Sequence, residues 1–453
     1  MSADDAAFAP RTGAVHRGAA GTRGFAVAPV RHLSSPASRQ SADGPYILVA
    51  PDLTPADTAE LDLTQIAGFC TSGGGPTSHA VQVAYSLGIP TVVAAGDGVL
   101  AVPEGEVCAL DGTTGTLFSG MGGDDLSVAT ACRDEIAARS RARAAASAGA
   151  FVPVTLTATV LDVAQARGVR AAGADGIGLL ATEMLFLGRA GDLADEEQHY
   201  RAYQSVARAA DGDAVTLRTL DIGGDKAVPA LGLPHEDNSF LGVRGLRLSL
   251  RRPDLFRPQL RAAYRAARDD GARLRLMFPM VTHVEEFLHA ARTAREIQAE
   301  LDAPGLPLGV MVEVPACALA ADLFAPHVDF LSIGTNDLAQ YLLAASRTNP
   351  DLAHDLDPLH PALTRTVHAV AETGAAHKVP VGACGGVAGD PVGAVVLASL
   401  GVTSLTVALP HLPEVRDALS RADASCLRTV REYALAAAGR RDLHDLVTSL
   451  LGL

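Results

Sequence analysis

Short apolar runs alternate with longer amphipathic stretches through the C-terminal part of the chain. A run in which nearly every position is apolar is typical of a strand buried on both faces, and apolar residues at every third or fourth position are typical of a helix. The runs are VTLTATV, DGIGLL, AVTLRTL, LRLMFPM, LGVMVEV, VDFLSIG, VPVGACG and VTSLTVA. Between many of them lie stretches such as FRPQLRAAYRAARDD. This alternation predicts an α/β fold with a (β/α)8 barrel over residues 151–453, and a doubly wound open sheet is the alternative.

The N-terminal part has a different pattern, in which shorter apolar runs lie closer together. The runs YILVA, IAGFCTS, TVVAAG and EVCALDG are separated by turn residues, with one helical stretch, SHAVQVAYSLG. This pattern predicts a compact α/β domain over residues 24–120. Helix formers and charges over 121–150 predict a linker helix, and residues 1–23, rich in Ala, Gly, Arg and Asp, are predicted to be disordered.

Composition limits the possible partners. With 453 residues, 48% of them hydrophobic, the chain is long and apolar enough to form two or three domains with cores. Its formal net charge of -14 argues against a nucleic-acid or anionic-membrane surface, because either would need a net basic face. No apolar run reaches the ~20 residues of a membrane span, and the first residues lack the apolar core of a signal peptide. An anionic ligand must therefore be held by a local cluster of Arg or Lys.

Six cysteines are scattered along the chain without the CxxC spacing of a zinc site or the density of a disulfide framework. They are Cys70, Cys108, Cys132, Cys317, Cys384 and Cys426. Isolated cysteines of this kind are typical of proteins in a reducing compartment. We therefore expect a cytoplasmic protein.

Polar residues stand where the predicted barrel strands end. Those at the ends of the third, fifth, sixth and seventh strands are Arg218, Glu313, Asn336 with Asp337, and Cys384. Taken singly, each has an ordinary structural explanation, as an ion-pair residue or a small buried side chain. In a (β/α)8 barrel, however, the carboxyl ends of the strands share the face that carries the chemistry. Together these residues predict an active site on that face.

Two of these side chains are carboxylates, and Glu313 and Asp337 would supply two hard oxygen ligands to one ion. Mg²⁺ takes such ligands and completes its shell with water and substrate oxygens, so the pair predicts a magnesium site. Arg218 and Arg244 on the same face would bind phosphate or carboxylate oxygens in pairs. The expected ligand is a small, doubly anionic, phosphorylated acid.

A second candidate site lies in the N-terminal part, in the glycine-rich stretch TSGGGPTSHA at residues 71–80. Glycines allow the backbone to approach a phosphate, and a helix predicted to begin near His79 would direct its N-terminus at the anion. A neutral imidazole is nucleophilic near pH 7, and its phosphoramidate is a high-energy phosphoryl carrier. His79 is therefore the candidate nucleophile.

Seven motifs occur in an order and spacing that resembles the phosphoenolpyruvate-utilising phosphotransferases, and most closely enzyme I of the sugar phosphotransferase system. They are GGGPTSHA, DIGGDK, FLGVRGLR, FPMV, GVMVEVP, SIGTNDLAQY and GACGGVAG. The resemblance extends from about Gly24 to the C-terminal region, and DIGGDK together with SIGTNDL makes it specific. It implies a swivelling phosphohistidine domain followed by a phosphoenolpyruvate-binding barrel.

The resemblance also implies roles for individual residues. His79 would be phosphorylated by phosphoenolpyruvate, Cys384 would protonate the enolate at C3, and Glu313 and Asp337 would hold Mg²⁺. The implied substrate contacts are Arg218, Arg244, Asn336, Asp337 and Arg347, with Lys226 as a further positive charge. A homodimer assembled through the barrel is implied as well.

The chain departs from the family pattern at several positions. The differing residues are Ala181, Pro76 and Tyr85 in place of arginines, Gly386 in place of a glutamate and Ser346 in place of an aspartate. A charge-assisted contact is worth about 1.5 to 3 kcal/mol, so three lost arginines would weaken anion binding. The family's helical insert docks the small phosphocarrier protein, and here the linker SSPASRQSADGP, residues 34–45, stands in its place. We therefore expect a phosphoryl acceptor other than that carrier.

The sequence thus predicts a Mg²⁺-dependent phosphotransferase that moves the phosphoryl group of phosphoenolpyruvate, or of a close analogue, to His79 and on to an unidentified acceptor. Two alternatives stay open. One is a catalytically weakened homologue that acts as a ligand sensor or scaffold, which the missing arginines favour. The other is a lyase or hydrolase that acts on a phosphorylated or enol acid.

Overall fold

The computed structural model describes most of the chain. The described residues are 8–34, 44–53, 57, 61–75, 79–147, 152–186, 193–223, 231–232, 234, 236–347, 349, 352, 355–436 and 440–452. The chain divides into two compact units, Met1–Ala146 with Ala345–Leu356 and Ser147–Ala344 with Asp357–Leu453. The first unit holds an eight-stranded sheet, and the second holds a closed barrel.

The first unit is built on strands β1 to β8. Their bounds are β1 Ala14–Arg17, β2 Ala19–Thr22, β3 Phe25–His32, β4 Tyr46–Ala50, β5 Ile66–Thr71, β6 Thr91–Val93, β7 Val107–Asp111 and β8 Thr116–Ser119. They lie in the order β1-β8-β7-β3-β4-β5-β6-β2, in which the pairs from β3 to β6 are parallel and the others antiparallel. The predicted mixed α/β character of this part of the chain is confirmed.

Strand β4 shows why the run YILVA is apolar throughout. Successive side chains of a strand point to opposite faces of the sheet. Ile47 and Val49 therefore pack into one buried cluster, whereas Tyr46 and Leu48 pack with Phe69 into another. Both faces of the sheet are covered at this strand, which leaves no position for a solvated polar residue.

The prediction that residues 1–23 are disordered is wrong for residues 14–22. Strand β1 pairs antiparallel with β8, and β2 pairs antiparallel with β6. The two strands read AVHR and AAGT, so their small and polar side chains show no apolar alternation. Backbone hydrogen bonds to neighbouring strands form whatever the side chain, and the hydrophobic pattern could not reveal them.

Helices α1, His79–Leu87, and α2, Gly123–Ser147, complete the first part of the chain. The helix predicted to begin near His79 is confirmed, because α1 begins at that residue. Helix α2 occupies the segment for which a linker helix was predicted. Its first turn carries Asp124 and Asp125, and negative side chains there are stabilised by the helix dipole.

The second unit is a closed barrel of parallel strands. Its strands are β9 Thr155–Val160, β10 Ile177–Ala181, β11 Val215–Arg218, β12 Leu274–Phe278, β13 Leu308–Val312, β14 Phe330–Gly334, β15 Val381–Cys384 and β16 Ser404–Ala408. Each strand pairs with the next one in the chain, and β16 closes the ring by pairing with β9. The predicted (β/α)8 barrel is confirmed, and the open-sheet alternative is excluded.

Helices follow most of the barrel strands and cover their outer surface. They are α3 Val163–Gly168, α4 Glu196–Ala209, α5 Leu246–Arg251, α6 Pro253–Asp270, α7 Val284–Leu301, α8 Pro315–Leu319, α9 Ala321–Phe324, α10 Thr335–Leu343, α11 Pro361–His377, α12 Pro391–Ser399, α13 Leu412–Arg421, α14 Ala424–Ala436 and α15 Arg440–Leu451. One buried cluster joins the strands to these helices, with Tyr203, Tyr264 and Phe287 among its largest members. Among the described helices, none combines the length and apolar character that a membrane crossing requires.

Large side chains fill the interior of the barrel. This interior cluster consists of Leu179, Met277, Met311, Phe330 and Cys384. Gly309 makes room for Phe330, because a Cβ at Gly309 would lie 2.5 Å from the aromatic ring. The barrel is a packed core, so its chemistry is confined to the rim.

Candidate active site

Arg218 is the last residue of β11 and lies at the carboxyl end of the barrel. Its side chain is buried, and its guanidinium forms an ion pair with Glu183, in the short 3-10 helix Thr182–Leu185 that follows β10. A second carboxylate, that of Asp221, lies 3.5 Å from Nη1. Nη1 also donates to the sulfur of Met311 at 3.6 Å. Arg218 is thus held between carboxylates that follow two neighbouring strands.

Arg244 is completely buried, with 0% of its surface exposed. Its Nε and Nη2 donate to the two oxygens of Asp221, each at 3.0 Å. Nη1 and Nη2 donate to the two oxygens of Asp337 at 2.9 and 3.1 Å. These paired bonds use the planar fork of the guanidinium on two sides. Arg244 therefore ties Asp337, in the first turn of α10, to Asp221, beyond the end of β11.

Glu313 directly follows β13 and is almost fully buried. Its Oε1 accepts a hydrogen bond from the backbone N–H of Met280 at 2.8 Å. Burial, followed by the charges of Asp337 and Asp221, raises the pKa of Glu313 to about 8, although the two arginines oppose the shift. Burial and the two neighbouring carboxylates thus outweigh the attraction of the two arginines.

The described part of this cluster holds more negative than positive charge. Four carboxylates and two guanidinium groups give these six groups a formal net charge of -2 when all of them are ionised. The groups are those of Glu183, Asp221, Glu313 and Asp337, and of Arg218 and Arg244. Carboxylates buried close together repel one another, and a bound cation would reduce that repulsion.

The donor atoms fit Mg²⁺. Glu313 and Asp337 offer carboxylate oxygens, and although both oxygens of Asp337 accept from Arg244, a carboxylate has about four acceptor positions. Within the described ranges, no group of three or more His, Cys, Asp or Glu side chains could hold a metal ion. Two protein carboxylates nevertheless suit Mg²⁺, which keeps several waters and takes further ligands from a substrate.

Cys384 ends β15 and is 5% exposed. Burial raises the pKa of its thiol to about 12; the charge of Arg218 lowers it, and that of Glu313 raises it further. The backbone carbonyl of Cys384 accepts from the hydroxyl of Thr335 at 2.7 Å, which fixes the strand end. The side chain is therefore a neutral thiol near pH 7, suited to donate a proton rather than to attack as a thiolate.

The turn after β15 orients Asn336. Its Oδ1 accepts from the backbone N–H of Gly386 at 3.0 Å. Gly385 has φ +103°, and a Cβ there would lie 2.3 Å from the hydroxyl of Thr335, so the turn requires glycine at this position. Asn336 precedes Asp337 at the start of α10, and its amide is thus fixed on the rim that carries the charged cluster.

Comparison with family models identifies both parts of the chain. The model described as PEP-utilising enzyme, PEP-binding domain matches residues 134–424, and that described as PEP-utilising enzyme, mobile domain matches residues 42–115. The first match alone covers more than half of the chain. This chain belongs to the PEP-utilising enzyme family.

Named relatives of this family member match most of its length. A multiphosphoryl transfer protein of Xanthomonas campestris pv. campestris is 47% identical over 399 residues, which are 86% of this chain and 47% of that protein. A phosphoenolpyruvate-protein phosphotransferase of Haloferax volcanii is 41% identical over 409 residues, which are 89% of this chain and 72% of that protein. The chain thus spans about half the length of the first relative. Among solved structures, the lead(II) complex of Haloferax volcanii malate synthase aligns with 59% of this chain and 72% of the malate synthase chain. The sequence identity is 14% and the TM-score is 0.39, so this likeness is too weak to carry an argument.

The mobile-domain match includes the glycine-rich turn before His79. The backbone N–H of Gly73 donates to the carbonyl of Pro51 at 2.9 Å, which anchors the turn to the end of β4. Gly74 has φ +82°, a conformation that other residues rarely adopt. His79 then begins α1, and the N-terminus of a helix favours an anion. Pro76 lies outside the described residues.

The positions at which this chain differs from the family pattern can now be placed. Ala181 is buried at the end of β10 and pairs in register with Arg218, so it lies beside that arginine. Gly386 follows the tight turn after β15.

Arg347 is buried in the segment Ala345–Leu356, which belongs to the first unit. Tyr85 lies in α1, Ser346 directly precedes Arg347, and Lys226 lies outside the described residues. The substrate-binding roles of these residues stay predictions.

Asp221 and Glu183 hold the cluster together but had no role in the predictions from sequence. Asp221 begins the motif DIGGDK, and Glu183 lies two residues after the end of β10. Each stands just beyond a barrel strand, which is the signal that identified Glu313. They were missed because a carboxylate that orients an arginine looks the same in a sequence as one on a solvated loop.

Proposed function

We propose that this chain is a Mg²⁺-dependent phosphotransferase that moves the phosphoryl group of phosphoenolpyruvate to His79 and then to an acceptor other than the standard phosphocarrier protein. The observation that carries the proposal is the buried cluster at the barrel rim, in which two arginines, four carboxylates and a neutral thiol converge. The family matches support it, because the chain contains both a PEP-binding and a mobile domain.

Substrate binding would use donors that the cluster leaves open. Within the described ranges, the buried Nε of Arg218 and the buried hydroxyl of Thr219 have no hydrogen-bond partner. A buried group without its hydrogen bond costs about 1 to 3 kcal/mol, so both groups favour an added oxygen acceptor. Asn336 would contribute an amide, and Arg347 a further guanidinium. Phosphoenolpyruvate offers phosphate and carboxylate oxygens to such donors.

Glu313 and Asp337 would hold the metal ion. The N–H of Met280 fixes one oxygen of Glu313, and Arg244 fixes both oxygens of Asp337. When bound, Mg²⁺ would neutralise charge on the phosphoryl and enolate oxygens. These contacts from Met280 and Arg244 would keep the two carboxylates in place before the ion arrives.

His79 would accept the phosphoryl group. One imidazole nitrogen forms a bond to phosphorus while the bond from phosphorus to the enol oxygen breaks, and that electron pair stays on the enolate. Arg218 would stabilise the charge that develops on the transferred group. The enolate then takes a proton at C3 from the thiol of Cys384, which yields pyruvate, and the thiolate recovers a proton from solvent.

The identity of the acceptor is proposed from one internal segment. In the family pattern a helical insert docks the small phosphocarrier protein, and in this chain residues 34–45 stand in its place. The named relatives are a multiphosphoryl transfer protein and a phosphoenolpyruvate-protein phosphotransferase. We infer that the acceptor here is a different protein or a small metabolite.

We further propose a homodimer assembled through the barrel and working in a reducing cytoplasm. Leu319 and Leu323, four residues apart in α8 and α9, are 82% and 57% exposed, which is unusual for leucine and favours a covered surface. All six cysteines are free thiols. Light scattering at micromolar concentration should give twice the 46.6 kDa of one chain, and a monomer would contradict the dimer.

Labelling with phosphoenolpyruvate tests the central proposal. Incubation with the labelled compound and Mg²⁺ should give an acid-labile, base-stable phosphoprotein, because a phosphoramidate hydrolyses when its nitrogen is protonated. The variant His79→Ala should carry no label. Label that persists in this variant would place the nucleophile elsewhere.

A ligand sensor is the second candidate function, and Ala181 favours it. A methyl group beside Arg218 stands where the family pattern has an arginine, which removes one charge from the anion site. A sensor would bind phosphoenolpyruvate with Mg²⁺ and melt at a higher temperature in its presence. It would nevertheless carry no phosphoryl label on His79.

A further inference from the structure

A buried hydrogen-bond network joins two outer helices to the end of β11. Its side chains are no more than 2% exposed, and they are Thr182, His199, Tyr203 and Gln259. His199 and Tyr203 belong to α4, Gln259 belongs to α6, and Thr182 follows β10. The network ends on the backbone of residues 218–220, the segment that leads from Arg218 to Asp221.

One arrangement of hydrogens satisfies the outer half of the network. In this arrangement Nε2 of His199 donates to the carbonyl of Leu193 at 2.9 Å, and Nδ1 accepts from the hydroxyl of Tyr203 at 3.0 Å. Burial raises the pKa of Tyr203, which keeps its proton available for this bond. The hydroxyl oxygen of Tyr203 in turn accepts from Nε2 of Gln259 at 2.9 Å.

Gln259 links this outer half to the strand end. Its Oε1 accepts from the N–H of Leu220 at 3.0 Å, which fixes the orientation of the amide. Its Nε2 donates a second hydrogen to the hydroxyl of Thr182 at 3.1 Å. That hydroxyl donates to the carbonyl of Arg218 at 2.7 Å. One carbonyl and one N–H, on either side of Thr219, are therefore held by side chains from other elements.

We propose that Thr182 and Gln259 are positioning residues for the anion site, an inference that rests on the proposed function. Asp221 contacts both Arg244 and Arg218, so the backbone of residues 218–221 sets the position of both guanidinium groups. A displacement of about 1 Å in a binding constellation can cost about a hundredfold in rate. The network prevents such displacement by holding the backbone between the two charged side chains.

Two substitutions at Thr182 test the inference. Thr182→Val keeps the shape but removes the hydroxyl, whereas Thr182→Ser keeps the hydroxyl. The matched control is Thr364→Val in α11, where another buried hydroxyl donates to the carbonyls of Pro361 and Ala434 at 3.2 and 3.4 Å. We measure the affinity for phosphoenolpyruvate with Mg²⁺ by calorimetry, the melting temperature, and hydrogen exchange of the Leu220 amide.

A positioning role predicts that Thr182→Val loses affinity by ~tenfold or more, while Thr182→Ser and the control stay within ~twofold of the wild type. The control should lose only melting temperature. Wild-type affinity and wild-type exchange at Leu220 in Thr182→Val would overturn the inference. If the wild type itself does not bind phosphoenolpyruvate, the proposed function fails. Hydrogen exchange of the Leu220 amide then tests the positioning inference by itself. Faster exchange at Leu220 in Thr182→Val but not in Thr182→Ser then supports positioning, and equal exchange refutes it.

Discussion

The barrel rim and the glycine-rich turn before His79 differ in the amount of charge they carry. At the rim, six ionisable side chains are buried together, and Arg244 alone makes four hydrogen bonds to carboxylates. In the turn, the described contacts are backbone bonds and the bond from the hydroxyl of Thr71 to the carbonyl of Gly73 at 2.7 Å. Two positions that carry arginine in the family pattern are Pro76 and Tyr85 here.

This difference supports the proposal that the barrel rim, rather than the turn, binds a metal ion. Buried ion pairs contribute little net stability, because their desolvation offsets their attraction. At the rim, burial and the charges of Asp337 and Asp221 raise the pKa of Glu313. Such an arrangement is understandable when a cation and an anionic ligand complete it. The turn needs no buried charged side chains, since glycines and a helix N-terminus can face an anion without them.

The largest effect is expected from removing the carboxylates of the rim. Glu313→Ala and Asp337→Ala should each abolish Mg²⁺ binding in calorimetry and reduce labelling of His79 by at least ~a hundredfold, because the ion would lose one of its two protein ligands. Asp322→Ala is the control, since this exposed aspartate in α9 lies outside the cluster. If both rim variants bind Mg²⁺ as the wild type does, the proposal that Glu313 and Asp337 hold the ion is wrong.

A smaller effect is expected from restoring charge beside Arg218. Ala181→Arg should raise the rate of His79 labelling by roughly ten- to a hundredfold, the equivalent of one charge-assisted contact of about 1.5 to 3 kcal/mol. Ala181→Met adds comparable length without charge and should not raise the rate. An unchanged or lower rate in Ala181→Arg would mean that the missing arginine does not limit the reaction.

The barrel could be predicted from the sequence because several of its strands are buried on both faces. Every interruption of an apolar run was then visible, which is how Glu313 and Asp337 were found next to strand ends. Strands β1 and β2 could not be predicted, since their pairing with β8 and β6 uses backbone groups that every residue has.

The hydrogen bonds and ion pairs within the site could not be predicted in the same way. Arg244 is predicted to contact the substrate, and nothing in the sequence indicated that its guanidinium also donates four hydrogen bonds to Asp221 and Asp337. The sequence shows that an arginine is present but not which partner it faces, because that depends on residues 23 and 93 positions away in the chain. The positioning roles that we propose for Thr182 and Gln259 could not be predicted for the same reason.

The smallest effect follows from the raised pKa of Glu313. The ordinary value for this carboxyl group is 4.5, and in the folded chain it is about 8. Between these values a rising pH removes the proton from the unfolded chain while the folded chain keeps it. The free energy of unfolding therefore falls with rising pH in this window when Mg²⁺ is absent, and it changes no further above the folded pKa. Mg²⁺ must displace the same proton, so its affinity should rise over the same window.

The variant Glu313→Gln separates the cost of ionising a buried carboxyl group from the packing of the side chain, because glutamine has nearly the same shape but no charge. Glutamine keeps an oxygen for the N–H of Met280 but carries no proton to lose, so the variant should not show this pH dependence. Each unit of pKa shift corresponds to about 1.4 kcal/mol, and we expect the free energy of unfolding of the variant to exceed that of the wild type by at least about 1 kcal/mol at pH 8 in a chelator. The two should be equal near pH 4.5, and Mg²⁺ should stabilise only the wild type. Thermal unfolding of both proteins across this pH range measures the difference. Parallel curves would mean that Glu313 carries no uncompensated charge, and the contrast between rim and turn would then lose its basis.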